Sequence, residues 1–422
     1  MHGGSASERF TRQWLPIGLG QLTALACGLA GVHLVTRWVR PEDLGVYGLF
    51  LSLVPLGGML THAGLIKHFS RHWFSAADKP AYLRHWLAGT VRPTLWLIAA
   101  GILVAALGVL SPVALLGAFV LVAAGLAGAL AQAFQLGVQS IARHWLDLGL
   151  TATHSLTRTF LPLLGVALTG AGIIALLGGF LLHVLIAAAA GFLVIVALGR
   201  HDRAGDAVAP TPPASLQTYT RLFLLNGALA LINQGIVRWC VGLAFDVETL
   251  GYVTMAGNLA AVGPSMLAGA LWQYHYPQLL KAHHRADDTA VRRLADRTLA
   301  WMIGGCAAGG LLLAALLPWL PGRLVALEYV DAIGYIMPLF AFYAGLCGLS
   351  LVQGESLVMD RPGSALRVTA AGTIALSGGT LLCTLLWPDH LRLWWWVSPL
   401  PALVAARLML RRKPAGPPPP TS

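Results

Sequence analysis

Two arginines stand inside apolar runs long enough to cross a bilayer, Arg158 and Arg238. A charge at that depth costs about 2.5–3.5 kcal/mol on insertion scales, so such a residue normally faces a partner or a water-filled cavity. A guanidinium is a planar fork of donors that matches phosphate or pyrophosphate oxygens with two parallel hydrogen bonds. The chemistry it suggests is therefore the binding of an anion. Other polar residues recur at helical spacing around the arginines. Asp147, Thr151, His154 and Arg158 follow one another at i, i+4, i+7 and i+11, on one face of a helix. Gln132, Gln135 and Gln139 form a second stripe, with Arg143 next on it. Asn226 and Asn233 lie ahead of Arg238, with Gln234 one turn before it, and Thr369, Thr373, Ser377, Thr380 and Thr384 form a further row. These stripes give helices a wet face; equally, amides and hydroxyls serve as hydrogen-bond glue between helices in lipid.

The spans hold almost no acid. Asp147 falls near a helix end, and Glu42, Asp43, Asp246, Glu248, Glu328, Asp331 and Asp389 fall in connections. A carrier of cations, or one driven by ions through buried acids, would hold carboxylates in mid-membrane. Arginines and amides without acids suit an anion instead. No phosphate-cradling glycine loop of a nucleotide site is present. His68 and His72 make H-x-x-x-H without the Glu of a zinc protease and sit among basic residues. No spacing suggests a nucleophile with its base. Neither catalytic residues, a metal nor a cofactor is expected.

The elements that must position these residues follow from composition. Of 422 residues, 57% are hydrophobic and 11% charged, and 48 are Gly. Soluble domains carry about 25% charged residues, so soluble, disordered and disulfide-stapled classes are excluded. Twelve segments are long and apolar enough to span a bilayer, near 14–36, 44–66, 88–110, 113–139, 148–169, 171–198, 221–245, 250–274, 298–320, 333–353, 365–387 and 393–410. The first is too long for a signal-peptide core. With the N-terminus inside, 22 of the 28 Lys and Arg fall on the cytoplasmic side and four, Arg37, Arg40, Arg323 and Arg392, on the other. That bias places both termini in the cytoplasm and accounts for the net charge of +11 without nucleic acid. The five cysteines lie in apolar runs and read as small core residues.

A proline-bearing linker, 199–220, separates a first six-helix lobe (1–198) from a second (221–410), and residues 411–422 read as a disordered tail. Leu44-Gly45 and Leu250-Gly251, each at the start of a span, repeat at an offset of 206 residues, as do Gly57 and Gly263. Six helices per half give the halves one orientation, with an axis along the membrane normal and a binding site between them. The expected fold is all-α: a polytopic membrane protein of about 12 transmembrane helices in two six-helix lobes around a central cavity.

The run Arg37-Trp38-Val39-Arg40-Pro41-Glu42-Asp43-Leu44-Gly45-Val46-Tyr47-Gly48 resembles the R-x-L-x-P-e-e-f-G-x-y signature after the first span of polysaccharide flippases. Gly64-Leu65 with Arg71 resembles the end of their second span. Arg238-Trp239-Cys240-Val241-Gly242, then Glu248-Thr249-Leu250-Gly251-Tyr252, is similar to their D-R-x-x-x-G…e-a-l-G-x-Y pattern, and Tyr276-Pro277 to their Y-P. The chain departs from the family at Val237, where Asp is common, which removes a partner or cation ligand beside Arg238. The family is that of O-antigen and exopolysaccharide flippases of the multidrug/oligosaccharidyl-lipid/polysaccharide exporter superfamily. The resemblance implies a bacterial inner-membrane carrier that moves an undecaprenyl-diphosphate-linked oligosaccharide by alternating access. Arg158, His154 and Arg238 would contact the pyrophosphate, and Gln132, Gln135, Gln139, Asn226 and Asn233 would line the cavity. Its partners would be the lipid-linked oligosaccharide, membrane lipids and other polysaccharide-assembly membrane proteins. The alternatives are a drug or metabolite antiporter of the same superfamily and a membrane polysaccharide polymerase or ligase.

Overall fold

Backbone N–H and C=O groups in hydrocarbon must be satisfied within their own segment, and runs of Leu, Ala, Val and Gly that long meet this condition as helices. The computed structural model describes residues 14–62, 69, 73, 78–89, 96, 99, 112–141, 143–170, 172–201, 213–285, 287–359 and 361–411. The described chain is helical throughout its ordered elements. The principal helices are α1 (Leu15–Trp38), α2 (Pro41–His62), α3 (Pro112–Ser140), α4 (His144–Thr169), α5 (Gly172–His201), α6 (Pro213–Ala244), α7 (Val247–His284), α8 (Asp288–Leu316) and α9 (Ile333–Val358). They are followed by α10 (Pro362–Thr373), α11 (Gly379–Leu386), α12 (Leu391–Val397) and α13 (Pro399–Arg411). Most of the third expected span lies outside the described residues, as do His68, His72, Gly64, Leu65, Arg71 and residues 412–422.

Among the described residues seven helices are both long and apolar enough to cross a membrane, eight if the bent pair Pro388–Val397 and Pro399–Leu410 is one span. The pair meets at 50°. It breaks where Pro399, which has no N–H to donate, starts a new helix. The segments in α4 and α7 form helices of spanning length, but their polar residues dilute the apolar content. Another departure falls in the row of Thr and Ser, where a π turn, Ile374–Gly378, joins α10 to α11. The linker is shorter than its composition suggests, because α5 runs on to His201 and α6 begins at Pro213. Leu168, Leu243, Leu311 and Leu385 stand exposed on the outside of the bundle, as on a surface that meets lipid.

The two halves meet along α1, α2, α6 and α7. The N-terminal ends of α2 and α7 cross backbone to backbone. A Cβ on Gly45 would stand 2.5 Å from the Val247 carbonyl oxygen, and one on Gly251 would stand 1.9 Å from the Pro41 carbonyl oxygen. A Cβ on Gly48 would meet Thr254 Oγ1 at 2.3 Å. The paired positions 41 and 247, 45 and 251, and 48 and 254 all differ by 206, so equivalent residues touch about one axis, as at a two-fold interface. Beside this crossing the segment between α8 and α9 folds over α1. The Tyr329 hydroxyl donates to the Val39 carbonyl (2.9 Å) and the Ala326 N–H to Thr36 Oγ1 (3.3 Å). At the other end of α1, Trp14 stacks on Tyr274 of α7 at 4.3 Å.

Candidate functional site

Arg158 projects from α4 in the first half and Arg238 from α6 in the second. Arg238 is half-buried and Arg158 is exposed. They lie within electrostatic reach of each other, and Tyr47 of α2 lies within reach of both. The two arginines, one from each half, thus come within reach of each other near the seam. Arg158 makes no hydrogen bond or ion pair with any described residue. Arg238 donates from one Nη to Asn258 Oδ1 on α7 at 3.3 Å, while its Nε is buried without a partner. Its neighbour Trp239 reaches the opposite half, with the indole N–H donating to Ser52 Oγ on α2 at 2.8 Å. Gly235 makes that reach possible: a Cβ there would lie 2.4 Å from the indole ring. Ser52 and Asn258 are again 206 residues apart. Equivalent positions on α2 and α7 therefore each accept a hydrogen bond from α6.

His154 lies one turn from Arg158, its ring 4.7 Å from that of His183 on α5 in an edge-to-face contact. Thr157 Oγ1 is 2.8 Å from His183 Nδ1. His154 also borders a small cavity with Gln135, Thr153 and Gly191. The lower part of the same stripe turns elsewhere. Asp147 is buried, and its carboxylate accepts from Gln135 Nε2 (3.1 Å) and Gln139 Nε2 (3.2 and 3.3 Å). Gln135 also donates to Thr151 Oγ1 at 3.0 Å. Gln132 is exposed. The α3 amides therefore clamp α4, with Gln135 both in the clamp and at the edge of the cavity.

In the second half Asn233 donates to Thr373 Oγ1 (2.9 Å) and accepts from Ser377 Oγ (2.7 Å), bridging α6 to the π turn. Thr369, Thr373, Thr380 and Thr384 return their hydroxyls to carbonyls four residues earlier in their own helix. Asn226 is buried with its Oδ1 unpartnered. Of the eight residues expected to line a cavity, the structure brings Arg158 and Arg238 within electrostatic reach of each other, with His154 packed on α5 one turn from Arg158. It engages Gln135, Gln139 and Asn233 in bonds between helices.

Sequence reasoning missed four residues of interest. Tyr47 sits inside the Gly-x-Tyr motif without having been assigned chemistry. His183 is a lone imidazole in an apolar run, a visible signal. Asn258 has no distinguishing spacing. Glu355 lies two residues beyond the drawn end of its span, and it corrects the acid-free picture of the interior. It is buried and ion-paired with Arg407, which also pairs with Asp296.

A family model described as "Polysaccharide biosynthesis protein" matches residues 34–303. No curated protein matches the chain. Among solved structures, the fold is similar to a MATE in complex with MaD3S, with a TM-score of 0.64 at 14% identity over 96% of this chain and 95% of that one. It is similar to the outward-facing conformation of a multidrug resistance MATE family transporter of the MOP superfamily, at 0.62 and 13% identity over 97% and 95%. It is also similar to the lipid II flippase MurJ in an inward closed conformation, at 0.59 and 13% identity over 94% and 88%. At these identities the likeness is one of fold.

Proposed function

The chain belongs to the polysaccharide biosynthesis protein family, and from that premise we propose that it is a flippase for a lipid-linked oligosaccharide. Its cargo in this reading is an undecaprenyl-diphosphate-linked oligosaccharide destined for O-antigen or exopolysaccharide. The first and second halves act as lobes that open alternately to either side of the bacterial inner membrane, with both termini in the cytoplasm. The prenyl tail stays in the bilayer while the sugar and diphosphate cross along the seam.

One observation carries the reading: an arginine from each half lies within electrostatic reach of the other, and neither has a carboxylate partner among the described residues. Two like charges brought together in a low dielectric repel, and a multivalent anion between them reverses the sign of that interaction. A diphosphate has the charge and the oxygens to engage both forks.

The test uses purified protein in liposomes loaded with an undecaprenyl-diphosphate oligosaccharide, whose exposure to an external glycan-modifying probe is followed. Exposure is expected to be faster than in protein-free liposomes and to fall to that background in the Arg158→Ala/Arg238→Ala double variant. Full flipping by a folded double variant would sink the reading. An antiporter takes some support from buried Glu355, a carboxylate of the kind that can couple to a cation; resistance to cationic dyes on expression, lost in Glu355→Gln, would favour it.

A further inference from the structure

We infer that Tyr47 is a third ligand of the anion, donating its phenol hydroxyl alongside the two guanidinium groups; this deepens the flippase reading and rests on it. Tyr47 is only 8% exposed, yet its hydroxyl makes no hydrogen bond with any described residue. The ring is what is buried; the oxygen is not among the fully buried unpartnered atoms, so it opens onto accessible space that a ligand can reach. The rest of the side chain is firmly placed, with the ring edge-to-face on Phe180 of α5 at 6.4 Å, where Phe50 also packs. The oxygen lies within electrostatic reach of Arg158 from one half and Arg238 from the other.

A phenol within electrostatic reach of two cations has two possible uses. It can accept a hydrogen bond from a guanidinium and serve as its permanent partner, or it can donate to something that both guanidinium groups also bind. The first use would leave a bond from Arg158 or Arg238 to Tyr47, and there is none; Arg238 turns to Asn258 instead. The second use fits the charges. Neither arginine has a carboxylate partner, since Asp147 is occupied by Gln135 and Gln139. A phosphate oxygen accepts from a neutral hydroxyl as well as from a guanidinium, the guanidinium bond being the stronger. The phenol therefore adds a donor without adding a third positive charge to a site that already has two.

The probes are inorganic pyrophosphate and a short-chain prenyl diphosphate, titrated into purified full-length protein by calorimetry. Tyr47→Phe keeps the ring on Phe180 and removes only the donor. It is expected to weaken binding of the prenyl diphosphate about tenfold, the worth of one hydrogen bond to a charged group. Equal weakening with both probes assigns the contact to the diphosphate alone; weakening only with the prenyl form assigns it to a lipid-borne headgroup. A fluorotyrosine at position 47 keeps the shape and strengthens the donor, so it is expected to bind about twofold tighter, whatever the melting point of the Phe variant. If Tyr47→Phe and the fluorotyrosine both bind like the parent while Arg158→Ala binds weakly, Tyr47 is not a ligand and the flippase reading stands. If the parent binds neither probe, the reading and this inference fall together.

Discussion

Asp147 shows how far a single residue can be read from sequence. Its spacing with Thr151, His154 and Arg158 puts all four on one helical face, and that part holds. What the face meets is not in the spacing: α3 covers its lower half, so Gln135 and Gln139 spend their amides on the Asp147 carboxylate. In the upper half His154 packs on His183 of α5, and Arg158 is left without a bonded partner among the described residues. Removing the carboxylate strands buried donors at about 1–3 kcal/mol each. Asp147→Ala should therefore lower the detergent melting point by several degrees, followed by tryptophan fluorescence, whereas Gln132→Ala, at an exposed position, should leave it unchanged. Equal melting of the two variants would show that the clamp contributes no stability. Tyr47 and Asn258 were not legible because their roles depend on what another helix brings to them.

At the scale of elements, the helices were legible from apolar run length, and their breaks less so. The π turn leaves no sequence mark beyond a Thr/Ser row, since it is stabilised from outside by Asn233. The start of α7 is set by a local rule. Asp246 accepts from the Thr249 N–H at 2.7 Å, a bond to the charged form that holds its carboxyl below the usual carboxylate range. A depressed pKa stabilises the fold above the unfolded aspartate value, and the stabilisation is lost as pH falls through the folded one. Asp246→Ala is expected to cost about 1 kcal/mol near neutrality. The gap to the parent should narrow as pH falls through the folded-state value, below the usual aspartate range, in a melting series; a gap that does not change there would point to something other than the cap. The crossing of α2 and α7 makes a sharper demand. A methyl on Gly251 cannot coexist with the Pro41 carbonyl in this arrangement. Gly251→Ala should lengthen the distance between spin labels at residues 37 and 246, and cut flipping at least tenfold at unchanged yield. Unchanged distance and rate would mean that the helices do not need this approach.

For the whole molecule, composition alone excluded a soluble fold, and the Leu-Gly repeat pointed to two related halves. The structure adds what a repeat cannot contain, namely which copies touch: positions 45 and 251, and 48 and 254, face one another. The orientation drawn from the Lys and Arg bias makes its own prediction. A reporter active only outside the cytoplasmic membrane should be silent when fused after Arg411 and active when inserted at Gly322; the reverse pattern would invert the topology. The glycine crossing carries one more consequence, for speed. Two backbones that meet without side chains have no rotamers to freeze when they close and none to repack when they part. Such a joint can open and shut at little entropic cost, so the pace of each cycle would be set by the cargo rather than by the hinge.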